Sequence, residues 1–125
     1  VVSEDDAAEL FDARGEAAAV LEAMAEMTGV QQVVLTRGAD GAAWMDGGAA
    51  GAVAPIDTQV LDPIGAGDAF SAGVIAGLLE GDLPGGVRRG AAMGAVEVGL
   101  YGDMLTVDPE EIDAVLDGAG RDVAR

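Results

Sequence analysis

The spacing of hydrophobic residues predicts alternating helices and short strands along the 125-residue chain. Between about residues 16 and 28, apolar side chains recur every three or four positions, as expected for a helix with one buried face. From Gln32 to Thr36 the pattern changes to a continuous run of β-forming residues, which indicates a buried strand. Shorter apolar runs at 42–45 and 52–54, joined by a glycine-rich turn, predict two further strands.

Helix start signals and apolar runs predict the remaining elements. Ser3 is a suitable N-cap for a first helix, which Gly15 interrupts. Asp108-Pro109 is typical of a helix start, with proline at the first helical position. Two helices that are apolar nearly all round, and therefore expected to be buried, lie between these signals. The predicted bounds are 66–80 and 84–98 for the apolar helices, and 108–116 for the last. Helices alternating with short strands indicate an α/β fold.

The composition excludes several chemistries. The chain has 23 acidic and 6 basic residues, a net charge of −17, and neither His nor Cys. It therefore cannot build a Ser-His-Asp triad, a Cys/His zinc site or a disulfide. Any bound metal would be an oxygen-liganded cation such as Mg²⁺.

The same charge disfavours two classes of partner. A strongly acidic chain repels nucleic acid and anionic membrane surfaces. No apolar run approaches the length of a membrane span, and no basic segment precedes one as in a signal peptide. We therefore expect a cytoplasmic protein with a small-molecule substrate.

The most informative stretch runs from Asp62 to Phe70 and contains two glycines ahead of a predicted helix. Gly65 and Gly67 allow a ligand to approach the backbone closely. The start of the helix offers unpaired N–H groups and a partial positive charge, which together favour an anion such as phosphate. Within this anion site Asp68 is suited to accept a proton from an attacking hydroxyl. The alternative is a plain helix start with Asp68 as a first-turn charge.

Other glycine-rich motifs do not fit this stretch. A Walker A loop needs a lysine, and the chain has none. The dinucleotide-binding motif needs a third glycine where Phe70 stands. A nucleophile elbow at Ser71 would lack both its first glycine and a histidine.

The order Asp62-Pro63-Ile64-Gly65-Ala66-Gly67-Asp68-Ala69-Phe70 resembles the second signature, D-T-x-G-A-G-D-x-F, of the ribokinase-type (phosphofructokinase-B) carbohydrate kinases. Pro63 replaces the usual threonine, as in members that act on 2-keto-3-deoxygluconate. The segment from Thr36 to Gly41 resembles the family's T-x-G-x-x-G turn, although an ordinary hairpin turn is the alternative. Ser3 and Asp6 resemble its N-x-x-E segment less closely than they resemble a capping box.

This resemblance covers nearly all of the chain but only the C-terminal portion of the family. It implies that residues 1–125 are a single partial domain, the nucleotide-binding half of a ribokinase-like three-layer α/β/α sheet domain. The implied reaction is MgATP-dependent phosphorylation of a hydroxyl on a sugar or sugar acid, with 2-keto-3-deoxygluconate preferred.

The resemblance also implies a role for each matching residue. Asp68 would be the catalytic base, and the backbone of Gly65, Ala66 and Gly67 would form the anion hole. Asp62 would help to hold a monovalent cation such as K⁺, or would be a simple turn carboxylate. The residues that would border the ATP are Thr36, Gly38 and Gly41.

A second hypothesis is that the chain is not catalytic by itself. It begins with Val1 instead of Met, and the family's N-terminal portion carries most of the sugar contacts. A truncated remnant would at most bind nucleotide, or would need a separate N-terminal half. An apolar face left by a missing half would favour a homo-oligomer.

The acidic, lysine-free composition, rich in Ala and Gly, is typical of proteins from extreme halophiles, although high-GC codon bias is an alternative. At about 1 M salt the Debye length falls to about 3 Å, so repulsion between carboxylates is screened. We therefore predict a higher melting temperature in about 2 M KCl than in about 0.1 M KCl. Circular dichroism melting curves would measure it, and equal melting temperatures would contradict the halophile interpretation.

Overall fold

The computed structural model describes the backbone of residues 1–123 and the side chains of residues 1–119. The chain divides into a first compact unit, Val1–Pro55, here called the β unit, and a second that begins at Ile56, here called the helical unit. In chain order the elements are β1 (Val2–Ser3), α1 (Glu4–Phe11), α2 (Ala17–Thr28), β2 (Gln32–Thr36), a single 3-10 turn (Gly38–Asp40), β3 (Ala42–Asp46), β4 (Ala49–Val53), α3 (Ala66–Leu79), α4 (Leu83–Val98) and α5 (Pro109–Val123).

The β unit contains a mixed sheet with strand order β1-β2-β3-β4. β1 runs parallel to β2, whereas β2, β3 and β4 form an antiparallel meander. Trp44 lies opposite Gly51 on β4. A Cβ atom at Gly51 would lie 2.6 Å from the indole ring of Trp44. A larger residue opposite this tryptophan would therefore require the indole ring to move.

The helices α1 and α2 belong to the same hydrophobic core as one face of the sheet. This core joins buried residues of α2 to Val33 and Leu35 of β2 and to Ala43 of β3. The α2 residues in it are Val20, Leu21 and Met24. Val34, on the opposite face of β2, is buried as well. Burial of both faces accounts for the continuous apolar run of β2 in the sequence.

The helical unit depends on close packing of α3 against α4. Glycines on both helices let the two backbones approach each other. A Cβ atom at Gly77 would lie 2.6 Å from the carbonyl oxygen of Asp82, and one at Gly90 would lie 2.5 Å from the carbonyl oxygen of Phe70. Neither separation is possible for a real Cβ atom, so these positions accept only glycine without backbone movement. No helix within residues 1–123 is long and apolar enough to cross a membrane.

The structure confirms most of the predicted elements and corrects two bounds. Ser3 caps α1 by accepting a hydrogen bond from the N–H of Asp6 at 3.0 Å. The strand predicted at 52–54 begins at Ala49, because its pairing with β3 starts directly after the turn. The last helix was predicted to end near Leu116 but continues to Val123. The short strand β1 was not predicted.

We predict opposite effects for two glycine-to-alanine substitutions inside helices. Gly77→Ala should lower the free energy of unfolding by about 1–3 kcal/mol, because its Cβ meets the backbone of α4. Gly118→Ala, in α5, meets nothing within 4 Å and should raise it by up to about 1 kcal/mol. Urea denaturation would measure both, and a Gly77→Ala variant as stable as the unmodified chain would refute the close packing.

Candidate functional site

The segment before α3 is fastened to the C-terminal end of α4. The N–H groups of Leu61 and Asp62 both donate to the carbonyl oxygen of Val98, at 2.7 and 3.1 Å. Earlier in the segment, the hydroxyl of Thr58 donates to the carbonyl oxygen of Ala95 at 3.1 Å. The end of α4 therefore sets the position from which the glycine-rich loop begins.

Asp62 stabilises the turn that follows it. Its Oδ1 atom accepts a hydrogen bond from the N–H of Ile64 at 3.0 Å. This contact spans Pro63 and forms an Asx turn. The turn role considered in the sequence analysis is thus present, and it engages one of the two carboxylate oxygens of Asp62.

Gly65 turns the chain from this loop into α3. It adopts left-handed backbone angles, φ 89° and ψ −15°, and no side chain caps the helix. A Cβ atom at Gly65 would lie 2.9 Å from Oε1 of Glu97 and 3.0 Å from the Cα atom of Asp103. Both the backbone angle and the lack of space require glycine here.

The first turn of α3 brings together the residues predicted to bind an anion. The N–H groups of Ala66, Gly67 and Asp68 have no acceptor within the helix, because they belong to its first turn. Gly67 and Asp68 are exposed, whereas Ala69 and Phe70 are buried and anchor the helix. The arrangement presents backbone donors and one carboxylate on the surface at a helix start, which suits a ligand with both a negative charge and a hydroxyl.

The turn predicted to border the ATP, from Thr36 to Gly41, lies in the β unit and connects β2 to β3. Thr36 is the last residue of β2 and pairs with Ala42. The N–H of Arg37 donates to the carbonyl oxygen of Gly41 at 2.8 Å, which closes the turn. Gly38 and Gly41 have positive φ angles of 53° and 84°. The structure therefore places Thr36, Gly38 and Gly41 in one turn, and it also shows the hairpin geometry given as the alternative.

Gly41 is as constrained as Gly65. A Cβ atom on it would lie 2.9 Å from the backbone nitrogen of Pro55, and it would also meet the carbonyl oxygen of Val53. Next to this turn, Nε of Arg37 lies 3.4 Å from Oε1 of Glu4 on α1. The guanidinium is thus engaged within the β unit.

Glu97 is the residue that sequence reasoning missed. Its side chain is only 1% exposed, and it lies on α4 beside Gly65. Neither carboxylate oxygen has a hydrogen-bond partner among the described residues. The sequence does hold a signal, because Glu97 is the single charged residue between Arg89 and Asp103.

Two other charged groups of the helical unit, Arg89 and Glu80, form an ion pair. Arg89 donates two hydrogen bonds to Glu80, at 3.1 and 3.2 Å. This hydrogen-bonded pairing with Glu80 raises the pKa of the Arg89 guanidinium above its ordinary value. Among the described residues, no three acidic side chains converge as metal ligands would.

The mixed sheet, the packed helices and the glycine-lined helix start define an α/β chain of the ribokinase-like class. The profile of the pfkB family of carbohydrate kinases matches residues 1–110. The chain belongs to this family, so the predicted family and the predicted ribokinase-like fold are both confirmed.

Two characterised relatives share a class of substrate in their names. The chain is 31% identical to 2-dehydro-3-deoxygalactonokinase of Haloferax volcanii, over 100% of this chain and 40% of that protein. It is 49% identical over 47 residues to 2-dehydro-3-deoxygluconokinase of Bacillus subtilis, which covers 37% of this chain and 14% of that protein. The chain thus spans less than half the length of either relative.

A solved structure with the same fold is a double mutant of fructokinase from Vibrio cholerae. That structure contains fructose, ADP and a potassium ion. It superposes with a TM-score of 0.78 and 25% identity, covering 92% of this chain and 40% of the fructokinase chain.

Two alanine substitutions in the loop should have different effects on stability, because Gly65 is enclosed and has a positive φ whereas Gly67 has open space around it. Gly65→Ala should lower the free energy of unfolding by about 1–3 kcal/mol, since it combines an unfavourable φ with contact to Glu97. Gly67→Ala has open space around its Cβ and a helical backbone, so stability should be unchanged or slightly higher. Chemical denaturation would compare them, and equal effects would contradict the described loop geometry.

Proposed function

We propose that this chain is the nucleotide-binding C-terminal part of a kinase that transfers phosphate from MgATP to a hydroxyl of a 2-keto-3-deoxy sugar acid. Residues 1–125 would form one partial domain of that cytoplasmic enzyme. The observation that carries the proposal is the exposed Asp68 in the first turn of α3, directly after the backbone donors of Gly65, Ala66 and Gly67. The names of the two relatives and the proline at position 63 support this class of substrate.

The proposed chemistry follows from the loop. Asp68 accepts the proton as the substrate oxygen bonds to the terminal phosphorus of ATP, and the bond to the bridging oxygen breaks to release ADP. The N–H groups at the start of α3 stabilise the negative charge on the transferring group. Mg²⁺ would supply charge neutralisation on the phosphates.

The β unit would contribute to binding ATP. We assign Thr36, Gly38 and Gly41 to the border of the phosphates and ribose. The lack of a side chain at Gly38 and Gly41 leaves their backbone open to close approach. In the helical unit, Asp62 keeps one carboxylate oxygen outside its Asx turn, which is suited to a monovalent cation.

A second candidate function is nucleotide binding without catalysis by the chain alone. The chain spans 40% of the Haloferax volcanii relative. Phosphoryl transfer depends on positioning both substrates and excluding water. If the remaining length supplies the sugar contacts, these residues alone would bind MgATP but would not turn it over.

We predict that Asp68→Asn lowers sugar-dependent ADP release by about 100-fold or more, because it removes the proton acceptor. MgATP binding should persist, since the substitution keeps the size of the side chain and removes a repulsive charge. The assay uses MgATP in molar KCl with 2-keto-3-deoxygluconate, its galactonate isomer, ribose and fructose. Asp117→Asn, an exposed carboxylate on α5, is the matched control and should keep full activity.

The outcomes distinguish the two candidate functions. Unchanged turnover of Asp68→Asn would refute the role of this residue. If the folded chain releases no ADP but MgATP alters the fluorescence of Trp44, on β3, then the chain is the nucleotide-binding part alone. The assay would then be repeated with the longer protein.

A further inference from the structure

The turn between β2 and β3 carries an arginine whose backbone is fixed on both sides. The N–H of Arg37 donates to the carbonyl oxygen of Gly41 at 2.8 Å, and the carbonyl oxygen of Arg37 accepts from the N–H of Asp40 at 2.9 Å. The side chain of Arg37 is 27% exposed, so its stem is largely packed against the protein. The guanidinium therefore extends from a well-defined point of the turn.

Arg37 lies at the edge of the sheet where the two parallel strands end. β1 and β2 run parallel, and Ser3 pairs with Thr36. Arg37 therefore follows the carboxyl end of β2, as Glu4 follows the carboxyl end of β1. Ligands of open α/β sheets bind outside the carboxyl ends of the strands. Open space at the Cβ position of the adjoining Gly38 leaves this part of the turn accessible to a ligand.

The protein itself uses only one nitrogen of the Arg37 guanidinium. Nε lies 3.4 Å from Oε1 of Glu4, and the two terminal nitrogens donate to no residue that the structure describes. The other arginine of the β unit, Arg14, already donates to Asp12 and to the carbonyl oxygen of Ala8. Arg37 is therefore the arginine of this unit whose terminal N–H groups remain for a ligand.

The charge and shape of this group suit a phosphate. A chain with a net charge of −17 repels an anionic ligand unless a positive group lies close to it. The planar guanidinium presents paired N–H groups that match two oxygens of one phosphate. We propose that Arg37 binds the phosphates of ATP through its terminal nitrogens, and that Glu4 is the positioning residue that orients the guanidinium through Nε.

This inference rests on the proposed function, because it requires the turn to border ATP, but its test measures binding and not turnover. Isothermal titration calorimetry in molar KCl compares MgATP with adenosine, which lacks the phosphates. Arg37→Gln should weaken MgATP binding by about 10-fold or more, since it removes hydrogen bonds between charged groups. Adenosine binding should be unchanged. An equal loss for both ligands would indicate a purely structural role and would overturn the assignment.

Two further variants separate the local contact from a general effect of charge. Arg14→Gln removes a guanidinium from the same unit and should bind MgATP as tightly as the unmodified chain. A loss equal to that of Arg37→Gln would overturn the assignment. Arg37→Lys keeps the charge but lacks the paired N–H groups, so it should weaken MgATP binding several-fold. This variant also serves if Arg37→Gln does not fold, and an unchanged affinity would refute the paired contact.

A double-mutant cycle tests the role of Glu4. If Glu4 orients the guanidinium, Arg37→Gln should weaken MgATP binding less in a Glu4→Ala background than in the unmodified chain. Equal losses in both backgrounds would refute the positioning role. If the unmodified chain and Arg37→Gln bind MgATP equally well, this inference fails while the proposed function stands. If the unmodified chain binds no MgATP, the proposed nucleotide binding fails, and this inference fails with it.

Discussion

The geometry of the loop depends on the close approach of Gly65 to the end of α4. The missing side chain leaves room for Oε1 of Glu97 and for the backbone of Asp103. The left-handed φ of Gly65 then directs the chain into α3. From that point, the glycine contacts between α3 and α4 fix the direction of the helix. The orientation of the first-turn N–H groups is therefore a consequence of packing on α4, since no side chain caps α3.

The buried carboxylate of Glu97 lies beside the loop that we propose binds phosphate, and a negative charge there would lower the loop's affinity for an anion. Two unit charges about 4 Å apart interact by about 4 kcal/mol at the effective dielectric near a protein surface. Without a counter-charge, Glu97 would repel a phosphate held by the N–H groups of Ala66 and Gly67.

Local chemistry explains which features were predictable from the sequence. The cap at Ser3 and the left-handed Gly29 depend on near neighbours, so both could be predicted. The start of β4 could not, because Ala49–Val53 lacks β-forming residues apart from Val53 and is fixed by pairing with β3. The loop from Gly65 to Asp68 was recognisable from its residues, although its catalytic roles stay predictions. The burial of Glu97 beside Gly65 could not be predicted, because it depends on the folded chain bringing together two residues that are far apart in the sequence.

The acidic surface and the buried Glu97 differ in how far salt can screen them. With 23 acidic residues and 6 basic ones, the chain has far more carboxylates than guanidinium groups to pair with them. Their mutual repulsion depends on ionic strength, so any monovalent salt relieves it equally. A carboxyl group removed from water is screened much less by dissolved salt than one on the surface.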